Sequence, residues 1–423
     1  MPPRALQFGA GSIGRGFIGA LLIQSGYHVT FADVNQPLID AINEEKEYHI
    51  HILFPDGAET TTTSGKDISG CYTNDQCIIE EIVSATIITT AVGPDVLKYV
   101  APTLARGFSE KRKRREQAGG SGKGPGEEVE YLNVIACENR VGASSLLKRL
   151  ILSNMEDKRD KEYVETFIGF PNCSVDRIVP PPSVDKAPDT SKDHLNLDVD
   201  VELFHEWIVE STALKGNPPF SNKVKGMQLT DRLEAYVERK LFTLNTGHAM
   251  TAFLGYLRNY DTISDSIHDE EIARNVRHAM QESGAALQQK YNFDPGAHAA
   301  YIDRIIDRFR NPHLKDECVR VGREPLRKLG RNDRFVGPAQ LCKDYRLPNK
   351  HLCRGVAAAM RYENNDDPQS VELRDWIKRD GVEKVAVELT GWTEDDAEIG
   401  YIMWNYKDLE KLQTRRSSTT YRE

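Results

Sequence analysis

Between Tyr236 and His248 the chain reads YVERKLFTLNTGH, and Lys240, Asn245 and His248 within it are types that move protons or hold an oxygen. An amine acts as acid or base once its pKa is lowered toward neutrality, an amide donates to a carbonyl oxygen, and an imidazole orients its neighbours. The stretch has no proline and spaces Val237, Leu241 and Leu244 at three and four residues, which predicts a helix. At about 100° per residue in an unbroken α-helix, His248 lies roughly 80° around from Lys240 and Asn245 roughly 140°. All three then share less than half the circumference, with Asn245 and His248 neighbours at i, i+3. Such a face could grip one oxygen-rich substrate. Taken alone, the same residues also suit a solvated lysine, a helix-facing asparagine and a hydrogen-bonded core histidine, so the rest of the chain decides.

The first forty residues carry the other half of a reaction. Ala5 to Phe8 is a short apolar strand that runs into Gly9-Ala10-Gly11-Ser12-Ile13-Gly14, then a helix to Gly26, a second strand from Tyr27, and Asp33. This is G-x-G-x-x-G in its required setting of strand, tight turn, helix, strand and acid. Gly9 lets the chain turn, Gly11 lets the backbone approach a pyrophosphate, and Gly14 lets the helix pack on the sheet, while the helix N-terminus offers free N–H groups to phosphate. Asp33, 19 residues after Gly14, is placed to take ribose hydroxyls. Its charge would repel a 2′-phosphate, and Val34 and Asn35 bring no compensating arginine, so NAD is favoured over NADP.

With 423 residues the chain should divide into two or three domains. A net charge of −9 argues against general nucleic-acid binding. No run of about 18 apolar residues is present to span a membrane, and the N-terminus does not read as a secretory signal. Seven scattered cysteines without a C-x-x-C pair suit reduced thiols in a cytoplasmic enzyme better than a disulfide framework. His351 near Cys342 and Cys353, and the alternating His49 and His51, lack further ligands at metal spacing, so no metal is expected.

Tyr48 to Phe54, Pro55-Asp56-Gly57 and Glu59 to Thr62 read as a hairpin. Ile82 to Ala91 is a near-continuous β-branched run, as in a parallel strand buried on both faces. It ends at Ala91-Val92, where a sheet's carboxyl edge would meet a nucleotide. A helix is expected over about 95–104. Residues 107–130, with KRKRR at Lys111 to Arg115 followed by a Gly-rich stretch, read as a flexible surface insertion rather than a nucleic-acid patch, since acids follow at once. Tyr131 to Ala136 resumes the sheet and leads to Asn139, and strand-like 164–170 leads to Asp176. From Leu229 onward the periodicity is helical, and further helices are expected over Asp269 to Lys290, Ala299 to Phe309, His351 to Tyr362 and Ser370 to Asp380. Arg320 to Leu329 holds four cations in nine residues, a solvated face that also suits an anionic group.

Four stretches together carry a resemblance: GAGSIGRGFIG (Gly9 to Gly19), ACENRVGAS (Ala136 to Ser144), FIGFPNCSVDRIVP (Phe167 to Pro180) and YVERKLFTLNTGHA (Tyr236 to Ala249). The chain resembles the polyol-specific long-chain dehydrogenases, also called the mannitol dehydrogenase family, and RVGREPLRKL (Arg320 to Leu329) narrows the resemblance to a polyol-phosphate branch. The resemblance implies an α/β fold: an N-terminal Rossmann-type dinucleotide-binding domain with added strands over 1–222, then a mostly α-helical substrate domain over 223–423. It implies metal-independent, reversible, NAD-dependent oxidation of D-mannitol 1-phosphate to D-fructose 6-phosphate. By motif, Lys240 matches the acid–base lysine, Asn139 and Asn245 the two amides on the carbonyl oxygen, and His248 the group that orients the reactive oxygen. Asp176, Arg320 and Lys328 match substrate contacts. A monomer acting on a small sugar phosphate, without nucleic acid or membrane, is the matching expectation. Free mannitol or a hexuronate is the alternative substrate, and a dinucleotide-sensing module without turnover is the alternative from another class. Tyr236-x-x-x-Lys240 also copies the tyrosine–lysine pair of short-chain dehydrogenases, but the glycine signature and chain length are not theirs.

Overall fold

In the computed structural model, residues 2–63, 66–118, 130–180, 195–216 and 224–419 are described. The chain divides into two compact units, Met1–Tyr236 and Val237–Glu423.

The first unit is built on the strand Arg4–Phe8 (β1), whose Ala5, Leu6 and Phe8 are almost fully buried. The other strands follow as β2 (His28–Asp33), β3 (His49–Phe54), β4 (Gly57–Thr62), β5 (Ile68–Tyr72), β6 (Ile87–Thr90), β7 (Leu132–Ala136), β8 (Ile168–Gly169), β9 (Cys173–Asp176), β10 (Val199–Glu202), β11 (Glu206–Glu210) and β12 (Met227–Thr230). Six of them form a sheet in the order β5-β2-β1-β6-β7-β8, parallel throughout. Counted along the sheet's own strands this is 3-2-1-4-5-6, the doubly wound order that opens a crevice where the order reverses. That reversal lies between β1 and β6, where Leu6 stands opposite Ile88 and Phe8 opposite Thr90. The inserted hairpin β3–β4 pairs with β10, and β9, β11 and β12 make a third small sheet.

Four expectations need correction here. The run Ile82 to Ala91 is not one strand: Cys77–Ser84 is a helix with Ile78 and Ile82 buried, and only Ile87–Thr90 is β6. Likewise Val164 ends the helix Lys158–Phe167, which leaves two residues for β8. The presumed insertion over 107–130 begins as regular structure, because the helix Leu97–Gln117 continues to its end. Residues 119–129 of that stretch lie outside the described residues. Within the helix four of the five KRKRR cations meet partners in their own unit, and Lys113 is exposed. Lys111 is buried and its ammonium donates to the Val83 and Ala85 carbonyls, Arg112 pairs with Asp160, and Arg114 pairs with Glu80 and Glu110. Arg115 lies 4.0 Å from the Phe167 ring centroid. Finally, Cys71 and Cys77 form a disulfide across the turn after β5, while Cys137, Cys173, Cys318, Cys342 and Cys353 are free and buried.

The second unit is helical around Thr246–Leu257, of whose twelve residues only His248 is not buried. Glu270–Tyr291, Pro295–Phe309, Lys350–Met360 and Pro368–Asp380 fall close to where the apolar periodicity predicts them. Ala397–Thr419 is a further long helix. No described helix is long and apolar enough to cross a membrane.

Candidate active site

The carboxyl ends of β1, β6 and β7 lie in step. Ala91 N–H donates to the Phe8 carbonyl at 2.8 Å and Cys137 N–H to the Thr90 carbonyl at 2.9 Å. Gly9 has φ +93°, and a Cβ there would lie 2.4 Å from the Ala91 carbonyl oxygen, so both conformation and space demand glycine. A Cβ on Gly11 would meet nothing within 4 Å, which leaves room for a ligand to approach its backbone. Gly14 allows a different contact from the one expected: its close neighbour is the Gly9 carbonyl oxygen, 2.0 Å from a Cβ position. Ser12 and Ile13 begin the helix, which is widened to a π-helix over Gly14–Gly19. Asp33 ties this turn to β2, its carboxylate accepting from Ala10 N–H at 2.8 Å and Asn35 N–H at 2.9 Å. Arg15 is buried and donates to the Ala10 and Leu197 carbonyls.

Glu138, which the motif reading passed over in favour of its neighbour Asn139, is the anchor of the adjacent turn. Its carboxylate, 5% exposed, accepts from Thr90 Oγ1 at 2.6 Å, Val92 N–H at 3.1 Å and Gly93 N–H at 2.8 Å. A single buried carboxylate therefore fixes the segment 90–93 to the end of β7, and Asn139 stands exposed immediately after it. Asp176 is buried at the end of β9. The next residue, Arg177, donates to the Gly16 and Glu202 carbonyls, and burial lowers its pKa to about 10.

In the second unit the helix carrying Lys240 is not the regular α-helix that the periodicity predicts. It is α-helical over Leu233–Arg239, a π-helix over Lys240–Asn245, and α-helical again from Thr246. Hydrogen bonds from i to i+5 bring residue i+5 back nearly over residue i. Lys240 and Asn245 therefore lie closer in azimuth than the roughly 140° of an α-helix. One hydroxyl supports the widened turn, Ser283 Oγ donating to the Phe242 carbonyl at 2.6 Å, while the Thr246 hydroxyl just after it donates to the Arg334 carbonyl at 2.5 Å. Lys240, Asn245 and His248 are all half-buried.

His248 is held from two sides. Its Nε2 lies 2.7 Å from Asp316 Oδ2, and its ring stacks on Phe309 with centroids 5.1 Å apart and planes 20° apart. The other Asp316 oxygen accepts from Arg320. Burial of Asp316 works against its charge, but the His248 hydrogen bond and the His248 and Arg320 charges outweigh it and hold the carboxyl below its usual range. The four-cation segment is not one solvated helix face. It breaks into Cys318–Gly322 and Pro325–Lys328, Arg320 is drawn to Asp316, and Arg327 to Glu324 at 2.8 Å. Lys328 is 3% exposed and donates to the Arg323 carbonyl. Burial, reinforced by Arg334 and Arg327, lowers its pKa to about 7. Unfolding restores an ordinary amine near 10.5. The unfolded chain therefore binds more protons between those values, so stability should rise with pH across the window from 7 toward 10. Denaturant titrations at several pH values should show this slope in the wild type and a flatter one in Lys328→Met.

One residue corrects the reading of His49 and His51. Asp198 meets them, with Oδ1 3.1 Å from His49 Nδ1 and Oδ2 3.7 Å from His51 Nε2. Even so, no group of three or more His, Cys, Asp or Glu among the described residues is arranged to hold a metal.

The sequence profile of the mannitol dehydrogenase Rossmann domain matches residues 3–222, and that of the mannitol dehydrogenase C-terminal domain matches 232–393. The chain belongs to the mannitol dehydrogenase family. Among solved structures it is similar to a D-sorbitol dehydrogenase in substrate-free form, with a TM-score of 0.78 and 18% identity over 98% of this chain and 94% of that one. It is also similar to Pseudomonas fluorescens mannitol 2-dehydrogenase in ternary complex with NAD and D-mannitol, with a TM-score of 0.66 and 17% identity over 100% of this chain and 95% of that one. At these identities the likeness concerns the fold.

Proposed function

We propose that this chain is an NAD-dependent polyol-phosphate dehydrogenase that interconverts D-mannitol 1-phosphate and D-fructose 6-phosphate, the activity of a mannitol-1-phosphate 5-dehydrogenase. The observation that carries the dehydrogenase reading is the π turn that gathers Lys240 and Asn245, followed by the anchored His248. The family membership and the Gly9–Asp33 cradle support NAD as the cofactor. Gly9, Ala10, Gly11, Ser12, Ile13 and Gly14 would hold the pyrophosphate, Asp33 the ribose, and Ala91 and Val92 the nicotinamide side. Bound there, NAD supplies the acceptor for the hydride of the alcohol carbon.

Lys240 removes the hydroxyl proton during oxidation and returns it to the carbonyl oxygen during reduction. Asn245 and Asn139 donate to that oxygen as charge builds on it, and each such donor is worth about 3 kcal/mol in comparable oxyanion sites. His248 orients the reacting oxygen, and Asp176 and Arg320 are assigned to the polyol chain and its phosphate, whereas the buried Lys328, matched to the substrate by motif, is engaged with the Arg323 carbonyl. The support for a phosphate rather than a hydroxyl is the cationic segment. There Arg323, exposed, is the arginine not drawn into the Arg320 and Arg327 pairs.

Steady-state assays of NADH oxidation with fructose 6-phosphate, fructose and fructuronate test the reading. The highest kcat/KM is expected with fructose 6-phosphate. A preference for unphosphorylated fructose would reassign the substrate, and no NADH consumption with any of the three would leave a dinucleotide-sensing module.

A further inference from the structure

We infer that Asp316 is a positioning residue that fixes the tautomer of His248, so that this imidazole meets the substrate through Nδ1 as a hydrogen-bond acceptor. The inference rests on the functional reading above for its consequence in catalysis, but not for the tautomer itself.

A carboxylate only accepts hydrogen bonds. With Asp316 Oδ2 2.7 Å from His248 Nε2, the proton of that bond lies on the imidazole nitrogen. In neutral imidazole the other nitrogen then carries a lone pair. The carboxylate stays ionised because His248 and Arg320 hold its pKa down despite burial. It is also well placed to impose direction. The Asp316 side chain is 4% exposed, its backbone carbonyl is pinned by Ile263 N–H at 2.8 Å, and Phe309 stacked on the ring restricts rotation out of the hydrogen-bonding plane. Such an outer carboxylate determines which ring nitrogen faces the reacting centre.

A histidine that accepts through Nδ1 complements the amides. Asn245 donates to the substrate oxygen, whereas His248 takes a hydrogen bond from a substrate hydroxyl or from the protonated Lys240. The same Asp316 binds Arg320, so one carboxylate aligns two of the side chains assigned to the substrate.

The direct test is ¹⁵N NMR of the histidine-labelled full chain at a pH where the ring is neutral, with the His248 resonances identified by their loss in His248→Gln. Protonated Nε2 and unprotonated Nδ1 are expected; the opposite tautomer in the wild type overturns the inference whether or not any sugar phosphate is turned over. Asp316→Asn supplies the second arm. Its amide can donate to Nε2, so the proton should move to Nδ1, and kcat should fall by about 10- to 100-fold, a range typical of lost outer-shell orientation. NADH binding measured by fluorescence should remain within about twofold. A variant that keeps the wild-type tautomer and kcat contradicts the proposal, as does one whose only defect is cofactor affinity.

Discussion

Lys240→Ala should lower kcat/KM for fructose 6-phosphate reduction by on the order of 10² to 10⁴, the contribution of a positioned proton donor. Tyr236→Phe, four residues earlier, should stay within about threefold of wild type. The contrast follows from where the two groups are engaged. The Tyr236 hydroxyl accepts from Gln228 Nε2 at 3.1 Å, a surface contact whose loss costs little. Lys240 stands at the head of the π turn, one i→i+5 step from the amide assigned to the same oxygen. Lys328 is the other amine to weigh, since its pKa is already lowered to about 7. Its ammonium, however, is spent on the Arg323 carbonyl inside a 3% exposed side chain. Steady-state kinetics of the two single variants decide. Near-normal rates in Lys240→Ala together with a collapse in Tyr236→Phe would move the acid–base role to the tyrosine.

The second large effect concerns Glu138. Glu138→Gln keeps the shape and removes one acceptor, so an amide N–H₂ must face either the Val92 and Thr90 side or the Gly93 N–H. A buried donor left against another donor costs about 1–3 kcal/mol. If that cost falls on the turn over 90–93, NADH affinity should weaken by roughly 5- to 150-fold. Glu138→Ala, which leaves all three donors without an acceptor and opens a cavity, should weaken affinity at least as much as the glutamine variant. Titration of intrinsic fluorescence with NADH measures both. Unchanged affinity in Glu138→Gln would show that the turn over 90–93 takes no part in holding the cofactor.

The parts of the fold that the sequence made legible are those in which spacing alone sets geometry. The glycine run from Gly9 to Gly14 needs a turn with positive φ, and the structure has φ +93° at Gly9. Amphipathic periods fixed Glu270–Tyr291 and Pro368–Asp380 to within a few residues. Misreadings arose where two structures share one composition. The run IVSATIITTA has no glycine or proline to show that its first residues finish a helix, and short apolar runs are ambiguous between helix and strand. KRKRR looked solvated because the groups that engage it, Glu80 and Asp160, are 34 and 48 residues away in sequence.

The same limit applies to the candidate site. Lys240, Asn245 and His248 stood out by type and spacing, but a 3.6-residue period could not reveal the π turn. Ser283, which donates to one of its carbonyls, looks like an ordinary helical residue. Asp316 is 68 residues from His248 and carries no pattern of its own. Glu138 carried the nearest to a usable signal: an acid directly after an apolar strand invites the question of what a buried carboxylate would accept from.

The central claim is that the Lys240 amine moves the proton while the hydride passes between substrate and NAD. The most direct measurement is the single-turnover rate of NADH oxidation by fructose 6-phosphate as a function of pH, in wild type and Lys240→Ala. The account predicts a wild-type rate that falls with rising pH through one ionisation as the donor is lost, and a variant slower by 10² or more in which that ionisation is missing. A variant that retains both the wild-type rate and its pH dependence would contradict it.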